Sequence, residues 1–582
     1  MPRRGPGWPG PTLDDDKAPL RGINKAGEAM ATPENRRADA CGTNQPRESG
    51  LAMNRRDFNR LMLMAGIVGS TGIPLGIRRA AGQTRGGTLD VIIQPEPPVL
   101  VAAINQQAPT LTVAGKIYQS LLKFNFDQTP RPGLAKSWEM SDDGLTYTFH
   151  LEEAVKWHDG TPFTAEDVVF STTRILPETH ARARGNFARC ESITAADAHT
   201  VVFKLKEPFG PFLQCFEMSS CPIMPKHLYE GTDYRNNPHN AKPIGTGPWK
   251  FAEWERGSHI RLVRNDEYYK PGQPYLDEII YRVVPDAASR ALALENGTVD
   301  LTQWGDVEMF DVPRLKQLPH VEFTTKGYEF YAPLLWLEFN NRIKPMDDKR
   351  FRQAVMHAID KDFLVRKVLF GLARPATGPM SKATKFYDPK VKIYDFNPAK
   401  AIALLDEMGL KPGADGKRAK ITYLVPPYGE VWMRFAEYIR QALSKVGIEV
   451  VLEAIDVAGW ATRVGNWDFE VSAPWLYQFG DPALGVSRTY VSSNIRKGVL
   501  FSNTSGYSNP KVDELFAEAA IAVDPAKRQA LYSEVQRLLV EEVPVGWLVE
   551  LDFPTMYDKR FHDLVVSAIG VNDDFDQAWY EG

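Results

Sequence analysis

Along the first half of the chain apolar side chains recur at every second position. In "LTYTFHL" Tyr147, Phe149 and Leu151 share one face, and in "TVVFKLK" Val201, Phe203 and Leu205 do the same, which is the period of half-buried strands. Between them "WHDGTPFTAEDVVFS" places a turn at Asp159-Gly160. Thr164 then stands three residues before Asp167, a capping-box spacing ahead of the apolar Val168, Val169 and Phe170, and predicts a helix start. Strands, turns and short helices alternate in this way to about residue 325.

The second half changes period. In "KRFRQAVMHAIDKDFLVRKVLFG" Phe351, Val355, Ile359 and Phe363 lie four apart, predicting one helix closed by Gly371. A further helix carries its own punctuation: Asn397 caps it, Pro398 opens the first turn, Ile402, Leu405 and Met408 face inward, and Gly409 ends it. "AKITYLVP", "VWMRFAEYIRQALSKVG" and "IEVVLEAI" then follow as strand, amphipathic helix and strand, an order that implies a parallel pair with a right-handed crossover.

The first 82 residues follow neither period. Residues 1–52 are dense in Pro, Gly, Arg and Asp and cannot bury enough surface to offset chain entropy, so they are either disordered or not translated. From Met53, Arg55, Arg56 and Arg60 form a basic start, 61–77 an apolar core and 80–82 a small-residue cleavage site. The core is about 17 residues long and broken by glycines, short for a membrane span of ~20. "NRRDFNR" resembles the twin-arginine export signature: Arg55, Arg56 and Phe58 match, and Asn59 stands where an apolar residue is usual. That signature is an address read by the twin-arginine export machinery and not an anchor. The mature chain is expected to begin near Gln83 and to be soluble.

About 500 residues remain after the leader, too many for one core, so at least two domains are expected. The 69 basic and 73 acidic residues are interspersed, net charge −4, which argues against a nucleic-acid partner that would need a basic face. The 13 Trp, 21 Tyr and 29 Phe supply cores and also suit a ligand pocket, where flat side chains give area at low entropy cost. Of four cysteines, Cys41 lies in the leader. Cys190, Cys215 and Cys221 remain, with Cys215 and Cys221 either a disulfide or buried thiols. No Cys or His spacing matches a metal site, no serine or cysteine has an arguable base and orienter, and no cofactor is implied.

Several motifs in order carry a resemblance: "GGTL" (86–89), "YQSLLKF" (118–124), "PGLAKSWEMSDDGLTYTFHL" (132–151), "VKWHDGTPFTAEDVVFS" (155–171), "IGTGPWKF" (244–251), "RFRQAVMHAIDKDFLV" (350–365), "GYSNPKVDELFAEAA" (506–520) and "RQALYSEVQRLLVEEVPV" (528–545). Together they resemble the family-five extracytoplasmic solute-binding proteins of ABC importers, the dipeptide, oligopeptide and nickel class. The resemblance implies an α/β fold of periplasmic-binding-protein type, with two α/β lobes, a hinge and a ligand cleft between them. Lobe I is expected to span 83–325 plus 549–582, with an inserted subdomain at about 118–240, and lobe II 326–548. Hinges are expected at 326–335 and 545–551.

The same resemblance implies where ligand sits. In peptide-binding relatives the segment matching "WLYQFGDPALG" (475–485) supplies an aromatic wall and, three residues on, an aspartate that grips the peptide's α-ammonium. Trp475 matches the aromatic, Tyr477 follows it, and Gln478 stands in the aspartate's place, with Asp481 the other candidate for that role. Gln478 lacks the charge of a carboxylate and suits a neutral or anionic solute. Glu96, Trp304, Tyr428 and Trp432 are further cleft candidates. The expected protein is a monomeric, exported, non-enzymatic receptor that captures a peptide-like or other small polar solute and delivers it to ABC permease subunits. Its rivals are an exported glycan-active enzyme, whose mark would be paired carboxylates, and a chaperone-like binding protein.

Overall fold

Half-buried strands need a partner surface, and the alternation at 146–151 and 200–205 finds one. In the computed structural model, which describes residue 83 and residues 85–582, strands Thr146–Leu151 and Thr200–Leu205 pair antiparallel at the centre of a four-stranded sheet with Ala135–Met140 and Cys190–Asp197 outside them. Tyr147, Phe149, Leu151, Val201, Phe203 and Leu205 are all buried. Phe149, Phe203, Phe212 and Phe216 interlock at centroid distances of 4.7–5.7 Å, each such pair adding about 0.5–1.5 kcal/mol beyond area burial. The leader at 1–52 and the export signal at 53–82 lie outside the described residues.

Two larger sheets form the two lobes of the fold. The first runs, in spatial order, Val321–Thr324, Thr555–Asp558, Leu301–Thr302, Thr88–Ile93, Glu278–Val283, His259–Arg264 and Trp249–Glu255. The second runs Ala373–Pro375, Val545–Leu551, Leu334–Phe339, Val471–Ser472, Ala419–Val425 and Ile448–Ala454, with the short strand Trp475–Leu476 also pairing Leu334–Phe339. Ala419–Val425 and Ile448–Ala454 are the expected parallel pair, and helix Glu430–Ser444 between them buries Trp432, Phe435, Ile439 and Leu443.

The chain passes from the first sheet to the second between Thr324 and Leu334, and returns between Leu551 and Thr555. The first crossing coincides with the hinge expected at 326–335. The second expectation is corrected: Val545–Leu551 is a wholly buried strand hydrogen-bonded on both edges, so residues 552–554 make the crossing, and position 549 falls inside the strand. A run of six apolar or small residues and one glutamate is better used as a central strand than as a bending segment.

The helix expected from 349 to 371 is also corrected. It runs Lys349–Ala358 and breaks at Ile359, because the Asp360 carboxylate accepts from Phe363 N at 2.9 Å and starts a new turn. Phe363 is left largely exposed. A side chain that can bond its own backbone competes with helix continuation. The Asn397-capped helix forms as expected over Pro398–Glu407, burying Leu405, with Gly409 at φ +79° beyond its end.

"IGTGPW" serves close approach. A Cβ on Gly245 or Gly247 would collide with the carbonyls of Ile117 and Lys116, at the end of the buried helix Ala108–Ile117, and Gly247 N donates to Ile117 O at 2.8 Å. His158 completes this junction: its Nδ1 accepts from Gly245 N at 3.2 Å and its Nε2 donates to Gly247 O at 2.9 Å. Trp157 Nε1 donates to Asp167, whose Oδ2 also accepts from Thr164 N at 2.9 Å. Cys190, Cys215 and Cys221 are free thiols, the last two buried. Among the described residues no helix is long and apolar enough to cross a membrane.

Candidate functional site

A cavity of about 710 Å³ is lined from both lobes, within the roughly 300–1,000 Å³ of small-ligand sites. Trp304, following strand Leu301–Thr302, stacks on Phe553 of the second crossing at 4.0 Å and 13°. Trp475 meets the same Phe553 edge-on at 5.6 Å and Tyr477 at 5.0 Å. Tyr477 in turn packs on Tyr331 of the first crossing at 4.9 Å. Aromatic side chains from both lobes and both crossings thus pack into one continuous cluster.

Of the residues expected in the cleft, Trp475, Tyr477, Trp304, Tyr428 and Trp432 line this cavity. Tyr428 is 48% exposed and Trp432 7%, the two flanking the N-terminus of helix Glu430–Ser444. The other three are corrected. Gln478 lies behind the wall: Oε1 accepts from Ser381 N at 3.0 Å and from Thr384 Oγ1, Nε2 donates to Pro379 O at 2.9 Å, and its backbone N donates to Tyr331 O at 2.7 Å. Its amide is spent on tying residues 379–384 to the first crossing. The strand ends at Leu476, and in the irregular segment beyond it Tyr477 and Phe479 face the cavity while Gln478 turns to residues 379–384.

Asp481 is also turned away. It is wholly buried, its Oδ1 2.8 Å from Arg528 Nη2 and 3.0 Å from Ala483 N, which it caps. Glu96 accepts from Trp254 Nε1 at 2.8 Å and from Gly257 N at 3.2 Å, holding the tip of the Trp249–Glu255 hairpin. Neither carboxylate lines the cavity.

The sequence left unmarked Arg182, Arg488, His180, Trp460 and Phe479, all cavity-lining. Only one signal could have found them: "THARARGN" is locally rich in cation, but nothing in it separates Arg182 from Arg184, which is exposed and bonded to Pro177 O. His180 sits at 1% exposure, with Nε2 donating to Ser219 O at 3.0 Å and Nδ1 accepting from Ala183 N at 3.2 Å, a neutral tautomer that leaves no nitrogen for proton transfer. Burial, and then the Arg182 charge, press its pKa from 6.5 to about 3, and burial presses that of His158 to about 4. An unfolded chain takes up protons on both rings near pH 6.5 while the folded chain does not, so stability is lost as pH falls from there toward the folded values. The melting temperature is expected to fall over that window, and less steeply in H158Q/H180Q. An unchanged slope in the double variant would exclude the two rings as the cause.

Among the described residues no group of three or more His, Cys, Asp or Glu side chains is placed to hold a metal ion. The bacterial extracellular solute-binding protein family 5 (middle region) matches residues 129–498. The oligopeptide-binding protein AppA of Bacillus subtilis is 30% identical over 495 residues, which cover 81% of this chain and 88% of AppA. Among solved structures, the ABC transporter substrate-binding protein CtaP of Listeria monocytogenes superposes with a TM-score of 0.76 at 26% identity, over 86% of this chain and all of CtaP. The periplasmic binding protein DppA of Helicobacter pylori, solved with the peptide STSA, superposes with a TM-score of 0.72 at 26% identity, over 86% of this chain and 99% of its own.

Proposed function

Because this chain belongs to the family 5 bacterial extracellular solute-binding proteins, the substrate-binding components of ABC importers, we propose that it captures a peptide or other small polar solute in the aromatic cavity between its lobes and delivers it to the permease. The observation that carries this reading is the wall of Trp304, Trp475, Tyr477 and Tyr331, backed by the buried Phe553, which together span both lobes and both crossings. A solute bridging that wall contacts more surface when the lobes approach, and its differential affinity for the approached form sets how far the equilibrium moves. The relatives AppA and DppA bear the names of binding proteins. This supports a receptor over a glycan-active enzyme.

Export by the twin-arginine route, removal of the segment before Gln83 and a monomeric mature protein belong to the same proposal, motivated by the run that begins at Met53. Protein recovered outside the cytoplasmic membrane of its host is expected to begin near Gln83 by intact mass, and to lose radius of gyration in small-angle scattering when a solute from a thermal-shift screen is added. Retention of residues 1–52 would end the export reading. An unchanged radius with bound solute would end the closure reading.

A further inference from the structure

One large aromatic side chain outside the cavity is held by the opposite lobe. Phe310 stands in the segment between Leu301–Thr302 and Val321–Thr324, both strands of the first sheet, and is 44% exposed. Its ring meets that of Phe370 edge-on at 6.5 Å, and the Arg434 guanidinium lies over it, 5.3 Å from the centroid. Both partners belong to the second lobe: Phe370 precedes strand Ala373–Pro375, and Arg434 lies in helix Glu430–Ser444. None of the three residues belongs to either crossing, so the contact joins the lobes independently of the two chain connections.

Each partner is positioned for this contact by its own lobe. Phe370 takes φ +52° after the turn Leu364–Val368, with Leu369 N donating to Leu364 O at 3.0 Å and Gly371 N to Val365 O at 2.9 Å. The first left-handed position after a helical turn usually goes to glycine, because a side chain there is strained. Here glycine comes one residue later, at Gly371, and the left-handed position is given to a ring that reaches the other lobe. Arg434 is steered by Glu430 one turn before it, whose Oε2 accepts from Nη2 at 3.0 Å, which holds the guanidinium without burying it. Edge-on rings and a cation over a ring attract at these distances.

The contact sits at the rim of the cavity. Met309 beside Phe310, and Glu430 one turn before Arg434, line the cavity, whereas Phe310, Phe370 and Arg434 do not. We propose that Phe310, gripped by Phe370 and Arg434, is a clasp that draws the two lobes together at the rim of the cavity before any solute is bound. Solute then has to supply less differential affinity to complete closure, because part of the population already has its walls approached. The inference rests on the reading that the lobes move, and adds to it a device that solute does not touch.

Small-angle scattering of the ligand-free protein tests the clasp, so the identity of the solute does not enter. The curves of wild type, F310A, R434Q and F310A/R434Q are each resolved into approached and separated forms. In F310A the ratio of approached to separated molecules is expected to fall about three- to tenfold, with a larger radius of gyration. R434Q is expected to give a smaller fall, and to add nothing in the F310A background. F363A is the control: Phe363 is also exposed and stacks at 5.2 Å, but on Tyr438 of its own lobe, and its loss is expected to leave the scattering unchanged. Wild-type scattering in F310A overturns the clasp, as do an equal opening in F363A and full additivity of F310A with R434Q. None of these results bears on capture of a solute, which the thermal-shift screen decides separately.

Discussion

Lys123→Met is expected to lower the unfolding free energy by about 3–5 kcal/mol, the cost of stranding buried charge. Lys123 Nζ lies 2.5 Å from Asp574, 3.3 Å from Asp576 and 3.4 Å from Asp573, with every side chain in the group 9% exposed or less. Lys270 shares Asp576 at 2.6 Å and Arg131 shares Asp573 at 3.3 Å. Lys116, itself fully buried, donates to the Val571 carbonyl at 2.6 Å and the Asp573 carbonyl at 2.5 Å. Lys123, Lys270 and Arg131 thus pair with the carboxylates and Lys116 bonds the carbonyls, together clamping the segment 571–576 under the helix Ala108–Ile117. Removing Lys123 leaves Lys270 and Arg131 as the ion-pair partners of three buried carboxylates. Urea denaturation of the variant checks this, and a loss below about 1 kcal/mol would show that Lys270 and Arg131 suffice. The same segment positions the cavity, because Asn572 Nδ2 donates to the Tyr331 hydroxyl at 3.1 Å.

Asp481→Asn is expected to cost about 3 kcal/mol in stability while leaving the solute affinity of the folded protein unchanged. The partner it abandons, Arg528, is buried and anchored to Ala519 O at 2.9 Å, so the guanidinium cannot swing to water. Melting of the free protein and calorimetry with a validated solute separate the two effects. Unaltered melting with lost affinity would return Asp481 to the ligand.

Much of the architecture was legible because its signals are local. Alternation at 146–151, the capping spacing at 164–167, the Asn397-Pro398 start and the strand-helix-strand order at 419–454 each depend on neighbours within a few residues, and the elements form where those signals put them. The helix break at Ile359 was readable only from Asp360, a residue equally at home in a helix and at its cap. In the site, Trp475 and Tyr477 were found through the motif around them. Gln478 was misplaced because motif spacing names a position without saying which way its side chain turns in the irregular segment after Leu476.

The amino-acid order alone determined most of the elements and the family, since these follow from periodicity, capping and motif sequence. The tertiary structure decided which charges meet. Lys123 and Asp574 are 451 positions apart, and Arg528 and Asp481 are 47 apart. No periodicity links such pairs, whose attraction exists only once folding has brought them together and removed the water between them. For the same reason the chain could not mark Arg182 or Arg488. A cavity-lining side chain is defined by everything packed around it, and that surrounding is assembled from both lobes.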